Sequence, residues 1–471
     1  MQRFIVLILS LVIVFFSCDG NMTKEDQNNK VTITGQITHP KSQNLTVSYT
    51  LDFMSNKDSV VASDSLDKNQ SFNVSFDLDN STFMKFRTGK EYTNMYLSPG
   101  DSIHITLDGE AFDSTISFTG TGAIVNSYLA QKMKNNLGVM EEINLFYKLD
   151  QSSFLSAMEN EHATKINRLR SSGITDSSFL NLEEDNLIYS LGSKLLLYDR
   201  YNAYATKRDS NITLIASLKD KIESIDRNNP KALNNASYIN FLGNYLSVQT
   251  AAMEDSNKWD LPNRLGYVDH FFTNNTVKEF MKASEIYQEL KYGGPGEDVQ
   301  TSIAEFSKSY PNSTHRMTID KVSAKWAHLV PGKKAPEFAY RDVKGDTLAL
   351  KDLLGKIVYI DVWATWCGPC KQEAPHFQKL AEDFAGKDVV FLGVSIDSKE
   401  DAWVKYLEKK KPTSTQIIAD NDWKSSICKE YNINGIPRFI LIGRDGNIIN
   451  ANAERPSGDI RTQLEGLLSA G

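Results

Sequence analysis

The sequence predicts a multidomain chain with an N-terminal antiparallel β-sandwich at residues 31–120, a central α-helical domain at 121–328 and a C-terminal mixed α/β domain at 331–471. Three observations predict it. In the first region apolar and polar residues alternate, as in half-buried strands. In the second, apolar residues recur at three and four, as in helices that bury one face. In the third, short apolar runs alternate with helical stretches and end in a hairpin pattern, which gives a central sheet flanked by helices. The 471 residues suit about three domains of roughly 150 residues each. With 41% hydrophobic and 24% charged residues, each region can bury a core of its own. The net charge of −7 is spread through the chain. Its one basic tract, Lys409-Lys410-Lys411, reads as a solvated helix end, so no nucleic-acid partner is expected.

The first residues precede the fold. Arg3 is a minimal positive start, and Phe4 to Phe16 is an almost wholly apolar run. Thirteen residues are too few to span a bilayer core of about 30 Å, but they suit the hydrophobic stretch of a signal peptide at 1–17. Ser17-Cys18 at the end of that run resembles the lipobox of bacterial lipoproteins, although Phe15 stands where an aliphatic residue is usual. The resemblance implies cleavage before Cys18, lipidation of Cys18, and a polar tether over 18–30 that holds the chain to a membrane.

Within 31–120, Val31, Ile33 and Ile37 share one strand face. Leu45, Val47, Tyr49 and Leu51 alternate, as do Phe72, Val74, Phe76 and Leu78, and then Ile103, Ile105 and Leu107. Ser98-Pro99-Gly100-Asp101 is a turn between two such runs. From 121 the period changes. Tyr128, Leu129, Met133, Leu137 and Met140 form one helical stripe, and Phe280, Met281, Ile286 and Leu290 form another. Gly293-Gly294-Pro295-Gly296 punctuates the region, and no fixed period marks it as a repeat array.

The last region opens at Pro331-Gly332. A buried strand is expected at 357–363, a helix from Cys367 to about Phe384, a strand at 389–396 and a helix at 402–410. A short strand at 416–419, a helix at 423–431, a hairpin of 439–442 with 448–451 and a closing helix at 460–468 complete it. Arg444-Asp445-Gly446-Asn447 supplies the hairpin turn.

Cysteine use points to chemistry. Apart from Cys18, the chain has Cys367, Cys370 and Cys428. That is no disulfide framework, and an exported chain that keeps one close pair is expected to use it rather than to be stapled by it. Disulfide exchange needs a thiolate nucleophile, a leaving thiol and a second cysteine near enough to release the mixed disulfide. Two cysteines separated by two residues at a helix N-terminus meet these needs, because unpaired N–H groups and the helix dipole stabilise negative sulfur there. Cys367 is assigned as the exposed attacking nucleophile and Cys370 as the resolving cysteine. Pro369 suits the first helical turn, where no N–H donor is missed. Cys428 reads as a small buried hydrophobe.

The stretch from Tyr359 to Lys371, with Asp361, Trp366 and Cys367-Gly368-Pro369-Cys370, resembles thioredoxins closely. The resemblance implies a thioredoxin-like fold for 331–471 and a buried proton-exchanging carboxyl at Asp361. It also implies that Pro437 in Gly435-Ile436-Pro437 is cis and faces the cysteines, with the Ile436 backbone offered to a bound polypeptide. Trp366, Gly368, Pro369, Ile436 and Pro437 are the expected substrate contacts. Glu373 and Pro375, three and five residues beyond Cys370, are similar to the periplasmic thioredoxin-like proteins of the TlpA and ResA type. Glu373 is a candidate for electrostatic tuning or a solvated helix face, and Pro375 is expected to kink the helix. Arg438 is a candidate for favouring acidic substrates. The β region resembles, by architecture alone, a domain that precedes thioredoxin domains in envelope lipoproteins of Bacteroidota.

These readings imply a thiol–disulfide oxidoreductase whose dithiol is its only redox group, with no other cofactor and no metal. Gly-Pro between the cysteines resembles reductants; thioredoxin itself sits near about −270 mV. The expected partners are exported thiol or disulfide proteins and an envelope electron donor, with the chain facing the periplasm or the cell surface. A metal site is disfavoured, since His376 lies six residues beyond Cys370, which is not a ligand spacing. A thiol peroxidase is the alternative enzyme, but Thr365 lies two residues before Cys367, whereas peroxiredoxins place a threonine three before. A non-catalytic lipid-anchored binding module is the other alternative.

Overall fold

The computed structural model describes residues 29–209, 211–253 and 260–469. The signal peptide, Cys18 and most of the tether lie outside the described residues. Among the described residues no helix is long and apolar enough to cross a membrane. Internal contacts divide the chain into two units. The described residues of the first are 29–50, 58–136 and 169–175; those of the second are 51–57, 137–168 and the residues from 176 on.

The first unit is built on β1 (Lys30–Thr38), β2 (Asn44–Asp52), β3 (Lys57–Ser65), β4 (Ser71–Asp77), β5 (Thr82–Thr88), β6 (Glu91–Leu97), β7 (Ser102–Asp108), the short α1 (Phe112–Thr115), β8 (Ser117–Gly120) and α2 (Ala123–Lys134). The strands form two four-stranded sheets, β4-β1-β7-β8 and β3-β2-β5-β6. One core is shared by residues from both, including Ile33, Val47, Phe86 and Ile105. That is a sandwich, reached through period-two patterning. Two details differ from the expectation. β1 and β7 pair in parallel, from Thr32 beside Ser102 to Thr38 beside Asp108, so the sandwich is not purely antiparallel. Leu51 is exposed, because the inward face of β2 reaches only from Leu45 to Tyr49.

Helix α2 packs with the strands of the first unit. The Asn126 side chain accepts from Tyr96 N–H at 2.9 Å and donates to Tyr96 O at 3.1 Å, and Ala123 and Ala130 join the sandwich core. The stripe that begins at Tyr128 does not run on as one helix. It breaks at Asn135–Gly138, and Met140 beyond the break is exposed.

The second unit carries α3 (Val139–Leu145), α4 (Gln151–Arg170), α5 (Ser177–Leu196), α6 (Tyr198–Thr206), α7 (Ala216–Glu223), α8 (Ala236–Ala251), α9 (Leu261–Phe271), α10 (Asn275–Tyr292), α11 (Glu297–Ser309) and α12 (Arg316–Lys325). Asp176, Asn235, Asp260 and Asn274 cap α5, α8, α9 and α10 by accepting N–H groups of the first turn. Apolar stripes from these helices meet in one core rich in aromatic residues.

The same unit then forms β9 (Ala339–Asp342), β10 (Thr347–Ala349), β11 (Ile357–Trp363), α13 (Gly368–Asp383), β12 (Val389–Ser395), α14 (Glu400–Lys410), β13 (Thr415–Ile418), α15 (Ser426–Glu430), β14 (Arg438–Ile442), β15 (Ile448–Asn450) and α16 (Ile460–Ser469). The sheet order is β10-β9-β13-β12-β11-β14-β15, with β11, β12 and β13 parallel and the outer strands antiparallel. Every residue of β11 is buried, as suits a central strand covered on both faces. Ile357 and Tyr359 face a core with Phe377 of α13 and Ile460 of α16. Val358, Ile360 and Val362 face the other core, with Trp403 of α14 and Ile427 of α15. This is the thioredoxin-like α/β arrangement, and β9 and β10 add an edge hairpin to it. The expected helix at 423–431 is instead a tight turn at Asp422–Lys424 and then α15, since Ser425 starts a new helix by capping Cys428 N–H.

Candidate active site

Parity places the site. In β11 Asp361 has the same parity as Tyr359, which turns it toward α13. Strand β11 then ends, a short turn follows, and α13 starts with Cys367 as its N-cap and Pro369 in its first turn. Cys367 Sγ accepts the Cys370 N–H at 3.1 Å, and the two cysteines are disulfide-bonded. The Ile436–Pro437 peptide bond is cis, and the Ile436 carbonyl oxygen lies 3.8 Å from Cys367 Sγ. Gly435, Ile436 and Pro437 are each partly accessible.

Cys367 is not the exposed residue that the sequence leads one to expect. It is 5% exposed against 2% for Cys370, because its sulfur is tied to Cys370 and lies against the Ile436 carbonyl. Its neighbours Trp366, Gly368 and Pro369 are exposed. Trp366, at 55%, pairs with exposed Trp423 at 6.1 Å between ring centroids, which makes an aromatic rim next to the sulfur.

Asp361 is buried, and its Oδ1 has no hydrogen-bond partner. Burial, and then the charge of Glu373, hold its carboxyl well above the usual carboxylate range. Asp361, Cys370, Lys371, Pro375 and Gln416 line a cleft of about 210 Å³ behind the disulfide. A protonatable group and the inner sulfur therefore share one small space.

Glu373 is not on a solvated helix face. It is buried and accepts from Ser457 N–H at 3.1 Å and Ser457 Oγ at 2.9 Å, with Arg455 at 3.6 Å. Pro375 lies on the outer side of α13, which runs unbroken past it, and withdraws the donor that would serve the Lys371 carbonyl. Cys428 is a buried free thiol in the core, and burial pushes its pKa up. Arg438 does not reach toward a substrate. It is buried, donates to Asn452 Oδ1 at 2.7 Å and to the Tyr292 carbonyl, and lies 5.8 Å from the Trp326 ring. Burial lowers its pKa to about 10. Among the described residues there is no cluster of metal-ligating side chains.

The AhpC/TSA family model matches residues 331–451. Over 138 residues the chain is 34% identical to the thiol–disulfide oxidoreductase ResA of Bacillus cereus, a match covering 29% of this chain and 76% of that protein. The chain belongs to the ResA family of thiol–disulfide oxidoreductases. Among solved structures it is similar to a candidate thiol–disulfide oxidoreductase of Bacteroides vulgatus, with 45% identity, 30% of this chain and 99% of that chain covered, and a TM-score of 0.29. It is also similar to the thioredoxin domain of another thiol–disulfide oxidoreductase of that organism, at 31% identity, 30% and 99% coverage, and a TM-score of 0.28.

Sequence reasoning missed one support of this ResA-type site. Asp397, just beyond β12, accepts from Thr365 N–H at 2.9 Å, Thr365 Oγ1 at 2.7 Å and Ser395 Oγ at 2.8 Å. It thereby pins the turn that delivers Cys367 to the helix start. The signal was the serine and aspartate closing an apolar strand, two residues apart at 395 and 397. The Tyr292 and Trp326 contacts to Arg438 had no local signal.

Proposed function

We propose that this oxidoreductase reduces disulfides of exported proteins through Cys367 and Cys370, from a lipid anchor in the cell envelope. The observation that carries the chemistry is the setting of Cys367. Its sulfur sits at a helix N-cap, receives the Cys370 N–H and lies against the Ile436 carbonyl beside cis-bonded Pro437. Of these, the helix N-terminus and the Cys370 N–H favour a thiolate. In the reduced form the Cys367 thiolate attacks a substrate disulfide, and one substrate sulfur leaves as a thiolate. Cys370 gives its proton to the Asp361 carboxylate, which burial makes a stronger base than an ordinary aspartate. The Cys370 thiolate then attacks the Cys367 sulfur and releases the second substrate thiolate. The enzyme is left as the disulfide, and an envelope electron donor must return two electrons. The dithiol is the whole redox apparatus in this reading.

The reducing direction rests on Gly368-Pro369 between the cysteines, and the anchor on Ser17-Cys18. A peroxidase is less favoured, because the Thr365 hydroxyl is committed to Asp397.

The test is Cys370→Ser in cells. It should accumulate mixed disulfides that reducing agent releases and that Cys367→Ser abolishes. Their absence on non-reducing gels counts against the resolving role. Alkylation of the wild-type pair in the same cells reads the direction: a mainly reduced pair fits a reductase, and a stable disulfide reverses the assignment. Cys18→Ser should leave the membrane fraction; if it stays there, the anchor is elsewhere.

A further inference from the structure

Helix α10 reaches the loop that carries the cis-proline. Helix α10 ends at Lys291-Tyr292, and two side chains that bracket the cis-proline hold that end. The Asn434 Nδ2 donates to the Lys291 carbonyl at 3.0 Å, and Arg438 donates to the Tyr292 carbonyl. Between them lie Gly435, Ile436 and Pro437. The Tyr292 ring lies 3.6 Å from where a Cβ on Gly435 would stand, so the ring rests directly against this loop. The Lys291 ammonium lies 5.0 Å from the centre of the same ring. Tyr292 is nonetheless 45% exposed. A tyrosine fixed at its backbone and open at its ring is poorly explained as core packing. It is well suited to contact, because it offers large rigid area at low entropic cost.

The position says what it would contact. Cys367 Sγ lies against the Ile436 carbonyl, so a disulfide that reaches it meets the partly accessible Gly435–Pro437 edge, and the exposed Trp366, which precedes Cys367 in the chain, pairs with Trp423. An extended polypeptide laid along this edge places alternate side chains on the flanking surfaces. We infer that Tyr292 is a specificity-determining residue for disulfide exchange: it receives an apolar side chain next to the target cysteine of an extended substrate segment. The inference rests on the exchange reading above.

A single-turnover experiment with the full reduced protein tests it. Each substrate is a cysteine peptide disulfide-bonded to thionitrobenzoate. The Cys367 thiolate attacks the peptide sulfur, an S–S bond to the peptide forms, and thionitrobenzoate leaves as the coloured thiolate. One peptide carries Phe-Cys-Phe, a second Gly-Cys-Gly, and a third substrate is the mixed disulfide of thionitrobenzoate with 2-mercaptoethanol. Wild type should consume the Phe peptide on the order of tenfold faster than the Gly peptide at sub-saturating concentration. Tyr292→Ala should reduce that preference to within about twofold and leave the small disulfide within about twofold of wild type. Tyr292→Phe should keep the preference. A preference unchanged in Tyr292→Ala, or absent in wild type, overturns the inference. So does an equal loss on all three substrates, which would make Tyr292 a support of the fold. If wild type releases no thionitrobenzoate from any of them, the exchange reading itself fails, and this inference with it.

Discussion

At the residue scale Asp361 sets the proton chemistry. An ordinary aspartate titrates near about 4, and Asp361 titrates well above that because it is buried near Glu373. Between the two values the unfolded chain has lost the proton and the folded chain still holds it. The group's contribution to stability is therefore whole below about pH 4 and is lost as pH rises through the folded pKa. Asparagine cannot titrate. The Tm of Asp361→Asn minus that of wild type, both as disulfides, should become more positive from pH 4 to pH 8. A pH-independent difference would mean that Asp361 is not a high-pKa group in the fold. The same variant should slow decay of the Cys367 mixed disulfide by about 10²-fold at pH 7, the low end for a lost general base. Formation of that species should hardly change, and acid-quenched alkylation separates the two steps. Asp361 was legible in the sequence because the needed signals are local: an acid inside an apolar strand, six residues before a close cysteine pair. Glu373 was not, since Ser457 and Arg455, which hold it, lie more than 80 residues away.

At the element scale the turn between β11 and α13 depends on β12. The Asp397 carboxylate accepts two part-buried hydrogen bonds from Thr365 and a buried one from Ser395. Asp397→Ala leaves the Thr365 N–H without its acceptor, which should cost about 1–3 kcal/mol. The expected outcome is faster amide exchange at Thr365 and Cys367 and a several-fold slower attack by Cys367, with the sheet intact by circular dichroism. Unchanged exchange at those two amides would remove Asp397 from the site. Elements with several turns of one period were readable: β11, β12, α13, α14 and α16 lie within two residues of expectation. Short ones were read unevenly: β13 and β15 lie where they were expected, next to longer elements, whereas β9 and β10, of four and three residues, were not read. Another case lies between α2 and α3: α2 stops at Lys134 and Gly138 starts α3 from an extended conformation, so a stripe that the apolar pattern alone would continue is broken there.

At the scale of the whole molecule, the core of the thioredoxin-like region takes in residues that precede its first sequence signal. Pro331-Gly332 marks the boundary by composition, yet Trp326 and Leu329 are buried members of the core that contains Ile360, Tyr431 and Ile440. Trp326 follows the last turn of α12, lies against Gly294 after α10, and stands beside the Arg438 guanidinium. Gly294 has a φ of 82°, and a Cβ there would fall 2.9 Å from the indole, so glycine is required both for the backbone and for the ring. A tryptophan from the helical region thus completes the core beneath the cis-proline strand β14. Removing it empties a space that neither side can fill. Trp326→Ala should destabilise this domain by about 3–5 kcal/mol, as large-to-small core changes of aromatic residues do. Cys428 provides the readout, because it is a free, buried thiol in that same core. In rising urea, with the Cys367–Cys370 disulfide intact, pulse alkylation of Cys428 should reach its midpoint at clearly lower urea in Trp326→Ala than in wild type. A fragment beginning at residue 331 should behave like the variant, and one beginning at 315 should move back toward wild type by restoring α12 and its tryptophan. Equal midpoints for all four proteins would show that the domain is self-contained from 331, and that the helical region contributes nothing to the stability of the strand carrying Arg438.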